Sequence, residues 1–434
     1  MSAEPESIEN ASKRRVRKSF LHKLNEWLHL WLGLTSGVIV LVVCLTGFVW
    51  VFNEEITYLL EPAIRAEKRN QPVLKPSAVL TISNQKFPKS HISYAYYQQG
   101  TAIRVGIGEE HDPKRHILFL NPYTGQIQGS KTYEKSETAF FDWILLGHRY
   151  LWLPQSIGRP IVNYGTLVFV VLLITGLIWW YPAKWTANAR KRSFRIKWQA
   201  GWKRINLDLH NVLGFYAFLV LLALALSGVV FGLTWYSRGL YWITSGGNSE
   251  PEWKRVSSDT SHHQKRYTYA QSLDMVWEKM LVENQSAGGF FYPFPDSTQA
   301  KSTINIRTYP SPGKFYDVAR HTYDRHSLQR LKFYEVFDHS YQKSSLGAKI
   351  RRMNYDIHIG TIFGLPGKVL AGLCSLIGAS LPVSGFIIWW NRKGFGRKKS
   401  RNPVPGKAKL TRVVPKISCL ALLFLFQILL RSVL

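Results

Sequence analysis

The sequence predicts a membrane protein whose core is an α-helical bundle of four transmembrane spans plus a C-terminal fifth, with two small α+β domains on its outer side. Three observations lead to this fold class: long apolar runs, blocks of Lys and Arg beside them, and an internal parallel duplication that includes matched histidines. The 434-residue chain is 46% hydrophobic and contains 16 Trp, a composition typical of bilayer spans with aromatic borders.

Five apolar segments have close to the roughly 20 residues that a helix needs to cross a bilayer. They divide the chain into alternating membrane and soluble parts. The predicted order is a basic N-terminus (1–27), first span (28–52), first outer domain (53–140), interfacial helix with the second span (141–182), basic loop (183–208), third span (209–236), second outer domain (237–350), interfacial segment with the fourth span (351–391), basic loop (392–412) and fifth span (413–434).

The formal net charge of +29 is concentrated beside the spans. Residues 13–23, 183–204 and 391–412 carry six, eight and nine Lys or Arg, and all three blocks fall on one side if the N-terminus is cytoplasmic. This pattern indicates membrane orientation and a lipid bilayer as partner, not nucleic acid. We therefore expect a multi-pass membrane protein with a cytoplasmic N-terminus and with both long segments outside.

Each outer segment reads as a small domain of one helix and a few antiparallel strands. In the first, "AIRVGIGEE" and "HILFLNPYTGQIQG" read as strands, with Asn121, Pro122 and Gly125 supplying a turn. In the second, "STINIRTY" reads as a strand and "YAQSLDMVWEKML" as a helix.

The two halves of the chain repeat the same histidine spacing. His29 is 18 residues before Gly47, and His210 is 18 before Gly228. A second pair of histidines precedes the second and fourth spans, 32 residues before the second Trp of "GLIWWYP" and of "GFIIWWNR". These repeats predict two halves in parallel orientation, related by a pseudo-two-fold axis along the membrane normal.

That second spacing predicts a break in the backbone before each span. A straight helix of 32 residues would be about 48 Å long, against a hydrocarbon core of about 30 Å. Pro154 with Pro160, and Pro366 with its flanking glycines, provide breaks in the two copies. His148 and His358 are therefore expected on short interfacial segments at the outer surface.

Four histidines thus form two predicted pairs, one at each side of the membrane. His29 and His210 share the inner depth, whereas His148 and His358 share the outer depth. Symmetric imidazoles can hold a haem iron from both faces, and polar groups at membrane depth are costly and usually functional. His22, seven residues before His29, is a reserve ligand. The alternative is that these are amphipathic residues at the interface.

The motifs "LHLWLGL…LTG", "FLNPYTGQIQG", "LLGHRYLW…TGLIWWYP" and "DLHNVLGF…SG" resemble those of the PepSY-associated transmembrane proteins of bacteria, from about residue 20 to 395. The resemblance implies a protein of the bacterial inner (cytoplasmic) membrane with periplasmic PepSY-like outer domains. It also implies one or two haem b groups held by His29, His148, His210 and His358, and siderophore-reductase activity. Electrons would pass across the membrane to a ferric siderophore or other ferric chelate at the outer face, for iron assimilation.

No nicotinamide- or flavin-binding motif is evident, because "GIGEEH" is only a fragment of the fingerprint and sits in a predicted hairpin. The electron donor is therefore expected to be a quinol or a soluble reductase at the inner side. The alternative function is a non-catalytic PepSY membrane protein that binds a peptide, a protease or an envelope partner. A transporter is a third possibility, disfavoured because the spans carry almost no acidic residues.

Overall fold

The computed structural model describes residues 19–109, 112–134, 137–260, 267–283, 288–295 and 299–393. Its helices are α1 (Phe20–Val51), α2 (Asn53–Leu60), α3 (Pro76–Lys86), α4 (Phe140–Tyr150), α5 (Gln155–Trp180), α6 (Ala187–Phe194), α7 (Trp202–Gly232), α8 (Thr234–Thr244), α9 (Tyr269–Glu283), α10 (Glu335–Asp338), α11 (Leu346–Ile359) and α12 (Gly364–Lys393). Its strands are β1 (Ile92–Gln98), β2 (Ile103–Ile107), β3 (Lys114–Leu120), β4 (Ile127–Glu134), β5 (Gly289–Pro293), β6 (Thr303–Tyr309), β7 (Ala319–Asp324) and β8 (Arg330–Leu331).

Helices α1, α5, α7 and α12 are long and apolar enough to cross a membrane, so the predicted multi-pass helical protein is confirmed. Two of them begin earlier than predicted. Helix α1 starts at Phe20, where the Ser19 hydroxyl accepts a hydrogen bond from the His22 amide, and α7 starts at Trp202 after Gly201. The predicted fifth span (413–434) lies outside the described residues.

The four spanning helices pack around a common apolar core. Buried side chains of α5 and α7, among them Phe169, Leu173 and Leu221, meet Val40 of α1 and Cys374 of α12. Small residues allow the helix backbones to approach closely, as is usual where lipid removes the hydrophobic drive between helices.

The backbone breaks before the second and fourth spans, as the histidine spacing predicts. After α4 the chain passes through left-handed Leu151 and Trp152, with φ of 53° and 56°, and α5 begins after Pro154. After α11, Gly360 has φ of 78° and starts the corresponding break. Pro154 lies in this break as expected, whereas Pro160 lies inside α5 and does not interrupt it.

All eight strands form one antiparallel sheet, with the order β4-β3-β2-β1-β5-β6-β7-β8. The prediction of two separate outer domains is therefore wrong for the strands: β1 of the first segment pairs with β5 of the second along Tyr94–Gln98. An isolated four-stranded unit would leave the β1 edge unpaired, and joining the segments removes that open edge. The inference that the halves arose by duplication stays a prediction.

Helices α3 and α9 cover one face of this sheet. Val79 of α3 and Trp277 of α9 are buried against inward-facing residues such as Val105, Tyr292 and Ile304. The side chains of the other face are half-buried. This second face lies toward the end of the bundle from which the sheet segments leave, since Phe315 contacts Tyr355 of α11 at a centroid distance of 5.0 Å.

Candidate functional site: two histidine pairs

The structure brings together His29 of α1 and His210 of α7. Their ring centroids are 6.4 Å apart and the ring planes are nearly perpendicular, at 86°. The pair lies at the end of the bundle remote from the sheet segments. His22, the reserve ligand, lies outside it, and its Nε2 is 3.4 Å from Glu26 Oε1 one turn along the same helix.

His148 of α4 and His358 of α11 form the second pair, with ring centroids 6.0 Å apart and an interplanar angle of 54°. The short helices fold back against the sheet-side ends of α1 and α7. Both rings therefore contact the spanning helices themselves, and do not lie out at the surface of an interfacial segment as the sequence had led us to expect.

Each of the four rings packs on the same dipeptide, a Ser or Thr followed by Gly on a neighbouring spanning helix. We call each dipeptide a cradle. The four cradles and their rings are Thr46–Gly47 with His148, Thr175–Gly176 with His29, Ser227–Gly228 with His358, and Ser384–Gly385 with His210.

The glycine of each cradle provides the space for the ring. A Cβ added at Gly176 or Gly228 would lie 3.0 Å from the Cε1 atom of the facing histidine, and one at Gly47 would lie 3.1 Å away. At Gly385 the separation would be 3.3 Å. These distances are below ordinary van der Waals contact, so alanine at any of the four positions would press on the ring.

The hydroxyl of each cradle binds the ring through Nδ1. The distances from Nδ1 to Oγ are 3.0 Å for His29, 3.3 Å for His148, 2.8 Å for His210 and 3.1 Å for His358. Every one of these hydroxyls also donates to the carbonyl four residues earlier in its own helix. Since its hydrogen is used there, the hydroxyl oxygen is free to accept from the ring.

A backbone carbonyl three residues before each hydroxyl fixes the tautomer. Nδ1 of His148 lies 2.9 Å from the Val43 oxygen, and that of His358 lies 3.0 Å from the Leu224 oxygen. Leu172 and Leu381 play the same part for His29 and His210. A carbonyl can only accept, so Nδ1 carries the hydrogen and Nε2 keeps its lone pair.

Asparagines one turn before three of the histidines support the same cradles. Asn25 and Asn206 donate to the carbonyls of Thr175 and Ser384, at 3.0 and 3.1 Å. Asn354 donates to the Ser227 carbonyl at 3.1 Å. The fourth position, four residues before His148, is a buried Ile144, so this site departs from the pattern.

A cavity of about 400 Å³ opens at the His148/His358 pair, which is within the usual range for small-molecule sites. Its wall is mostly apolar, with Val43, Val162 and Phe169 among the lining residues. Two guanidinium groups, from Arg149 and Arg159, also line it. The cavity therefore combines an apolar wall, two imidazoles and two cations.

The arrangement can present two imidazole lone pairs to one centre, since each fixed Nδ1–H leaves Nε2 as the available ligand. Across the described residues no group of three or more His, Cys, Asp or Glu side chains is placed to hold a bare metal ion. The four histidines described above form two separate pairs.

Sequence reasoning placed the four histidines in pairs but missed the cradles, the asparagines and the cavity arginines. The signal for the cradles was present as four Ser/Thr-Gly dipeptides at 46–47, 175–176, 227–228 and 384–385. Each of these dipeptides packs against a histidine of a different helix. Spacing along the chain therefore does not indicate which histidine ring contacts which dipeptide.

Residues 26–392 match the family model described as the PepSY-associated TM region. A comparison with curated proteins found no match. The match includes all four spanning helices apart from the first turns of α1, all eight strands and all four paired histidines. The chain belongs to the PepSY-associated transmembrane family.

Proposed function

We propose that this protein is a haem b-containing membrane reductase that passes electrons across the bilayer to a ferric chelate. The observation that carries the proposal is the pair geometry, with ring centroids 6.4 and 6.0 Å apart. Two imidazole nitrogens that each bound one metal at about 2 Å would place the two ring centres about 6 Å apart, so each histidine pair could hold one iron. The donor set and its spacing fit a haem at each pair.

The chain's own residues would hold and orient the cofactor. The cradle carbonyls keep Nδ1 protonated, which fixes the ring plane and raises the basicity of Nε2. At the His148/His358 pair, Arg149 and Arg159 line the cavity and would neutralise the cofactor's carboxylates, and the mostly apolar wall would pack against its ring. When bound, haem b supplies a one-electron couple whose potential depends on the axial ligands and the surrounding dielectric.

The proposed direction of electron transfer depends on the orientation of the protein in the membrane. With the basic segments cytoplasmic, the His29/His210 pair lies at the inner side and His148/His358 at the outer side, next to the sheet. A quinol or a soluble reductase would deliver electrons at the inner pair. The ferric chelate would be reduced at the outer face of a bacterial inner membrane. Reduction of the iron would lower the affinity of the chelator for it.

A spectroscopic turnover experiment tests this function. The full chain is purified in detergent, reduced with dithionite under nitrogen, desalted and mixed with a ferric chelate in the presence of a ferrous-specific dye. We expect a Soret band, an α-band in the reduced protein, reoxidation on adding the chelate, and ferrous dye complex formed in step with it.

A spectrum of the purified protein without haem bands would contradict the proposal. It would favour the alternative function, a non-catalytic membrane protein that binds an envelope partner. Haem bands that do not reoxidise with any ferric chelate would contradict the reductase function while leaving the cofactor in place. His29→Ala should remove one spectral component and retain that of the His148/His358 pair, which serves as an internal control.

A further inference from the structure

The second face of the sheet carries a row of three arginines and two aromatic side chains. Directly paired positions run from Arg104 on β2 to Tyr96 on β1, Phe291 on β5, Arg307 on β6 and Arg320 on β7. We call these five residues the arginine row. It crosses the junction between the two outer segments, and its side chains are half-buried, so solvent reaches it.

The aromatic members support the guanidinium groups. The Arg104 guanidinium lies 4.9 Å from the Tyr96 ring centroid, and that of Arg307 lies 4.6 Å from the Phe291 centroid. Such cation–π contacts hold the groups flat on the sheet without neutralising their charge. The row therefore presents planar donors in fixed orientations.

The three cations of the row lack a carboxylate in direct contact among the described residues, and Asp338 attracts Arg320 only at longer range. Within the described residues, none of the three guanidinium groups is within ion-pair distance of a carboxylate. Acidic groups bordering this face have other cations: Glu54 is 3.8 Å from Lys368, and Asp142 interacts with Arg115.

Arg307 and Arg320 stand directly opposite each other on adjacent strands. Like charges in this position are destabilising. Burial and the charge of Arg307 lower the pKa of Arg320 to about 10, and its buried Nε makes no hydrogen bond. An anion bound between the two guanidinium groups would reduce their repulsion and would accept a hydrogen bond from Nε of Arg320.

A chain of ring contacts joins the row to the sheet-side histidine pair. From His358 it runs through Phe231, Tyr355, Phe315 and Tyr309 to Tyr96, with successive centroid distances of 5.5, 6.2, 5.0, 6.1 and 5.9 Å. A ligand on the row would therefore be linked to the sheet-side histidine pair through a continuous series of packed rings, without touching the pair itself.

We propose that the arginine row binds the substrate, and that this substrate is an anionic ferric chelate with planar aromatic oxygen-donor arms of the catecholate type. This inference rests on the proposed function. Guanidinium forks bind oxyanions in a bidentate manner, and planar aromatic arms can stack on the guanidinium planes themselves. A cationic chelate would be repelled by three unneutralised arginines.

Equilibrium dialysis with a redox-inert gallium chelate tests binding apart from electron transfer. The full chain in detergent is dialysed against gallium tris(catecholate), a trianion, and against neutral gallium tris(acetohydroxamate). We expect the trianion to bind selectively and more weakly as salt rises. Arg307→Gln and Arg320→Gln should each weaken binding by about tenfold or more, the worth of one hydrogen bond to a charged group.

Two further variants keep the test decisive. Arg69→Gln removes an exposed arginine that already pairs with Glu67, and it should bind like the unmodified protein. Arg307→Lys keeps the charge but loses the planar fork, so its affinity should lie between those of the unmodified protein and Arg307→Gln. Haem content and thermal midpoint of each variant report folding.

Failure of this inference is distinguishable from failure of the proposed function. Equal binding of both chelates, or no effect of Arg307→Gln and Arg320→Gln, would overturn the arginine row as the substrate site while haem bands still uphold the reductase. If the protein lacked haem but bound the gallium chelate selectively and through these arginines, the proposed reductase function would be wrong. The bound chelate could then not be its ferric substrate.

Discussion

Gly228→Ala tests whether the cradle sets the position of a ligand ring. The added methyl carbon would lie 3.0 Å from Cε1 of His358, whereas carbon atoms in contact prefer about 3.5–4.0 Å. The ring must therefore move by roughly 0.5–1 Å. Ligand distances in metal sites are held to about 0.2 Å, so the shift exceeds what ligation tolerates.

The expected result is loss of haem from one pair only. Changes in the groups that orient a metal-bound histidine typically weaken metal affinity by about 10- to 100-fold. Transfer of haem from the purified protein to apomyoglobin should accordingly become about 10- to 100-fold faster for the His148/His358 component. The component of the His29/His210 pair should keep its rate.

Gly214→Ala is the matched control because it lies on the same helix α7. A methyl carbon there would meet Leu381 Cδ2 at 3.4 Å, an ordinary contact. Both changes gain up to about 1 kcal/mol of helix propensity, so only the ring contact separates them. Equal haem transfer rates in Gly228→Ala and Gly214→Ala would refute the reasoning.

Three further predictions concern stability in detergent, measured as thermal unfolding midpoints. Asn354→Leu removes the amide that donates to the Ser227 carbonyl at 3.1 Å and should cost about 0.5–1.5 kcal/mol, the net worth of one hydrogen bond; an unchanged midpoint would show that this bond is dispensable. Glu55→Gln should destabilise more than Lys368→Met, because the buried ammonium group loses the carboxylate that it now contacts at 2.7 Å and keeps only Glu54 at 3.8 Å, and the reverse order would contradict this account. Burial lowers the pKa of His321 from 6.5 to about 4, so the unfolded chain binds a proton first and stability should fall as pH drops from 6.5 toward 4, by up to about 3 kcal/mol. His321→Leu should flatten that pH dependence, and an equal slope in this variant would assign it to other groups.

The histidine pairs were predictable because helical spans impose depth. Equal spacing of His29 and His210 from the closing glycines of their spans places both at one level, and the long interval before each Trp-Trp end requires a break that sets His148 and His358 on separate helices. Hydropathy alone marked α7 too late, since its first turn from Trp202 is polar.

Contacts between distant segments were not predictable in the same way. The sequence of β1 does not indicate whether its free edge pairs with a strand of the same segment or with β5. Strand β5 lies nearly 200 residues later in the chain. The cradle of His148 is likewise on α1, about 100 residues earlier in the chain. Such partners follow from helix and strand neighbours in space, which local periodicity does not encode.

The pairing of the histidines is the central claim, and reduced-minus-oxidised spectra of the four single His→Ala variants test it most directly. His29→Ala and His210→Ala should lose the same spectral component, and His148→Ala and His358→Ala should both lose the other. Loss of one component by variants from different pairs, or haem bands that survive all four substitutions, would contradict the account.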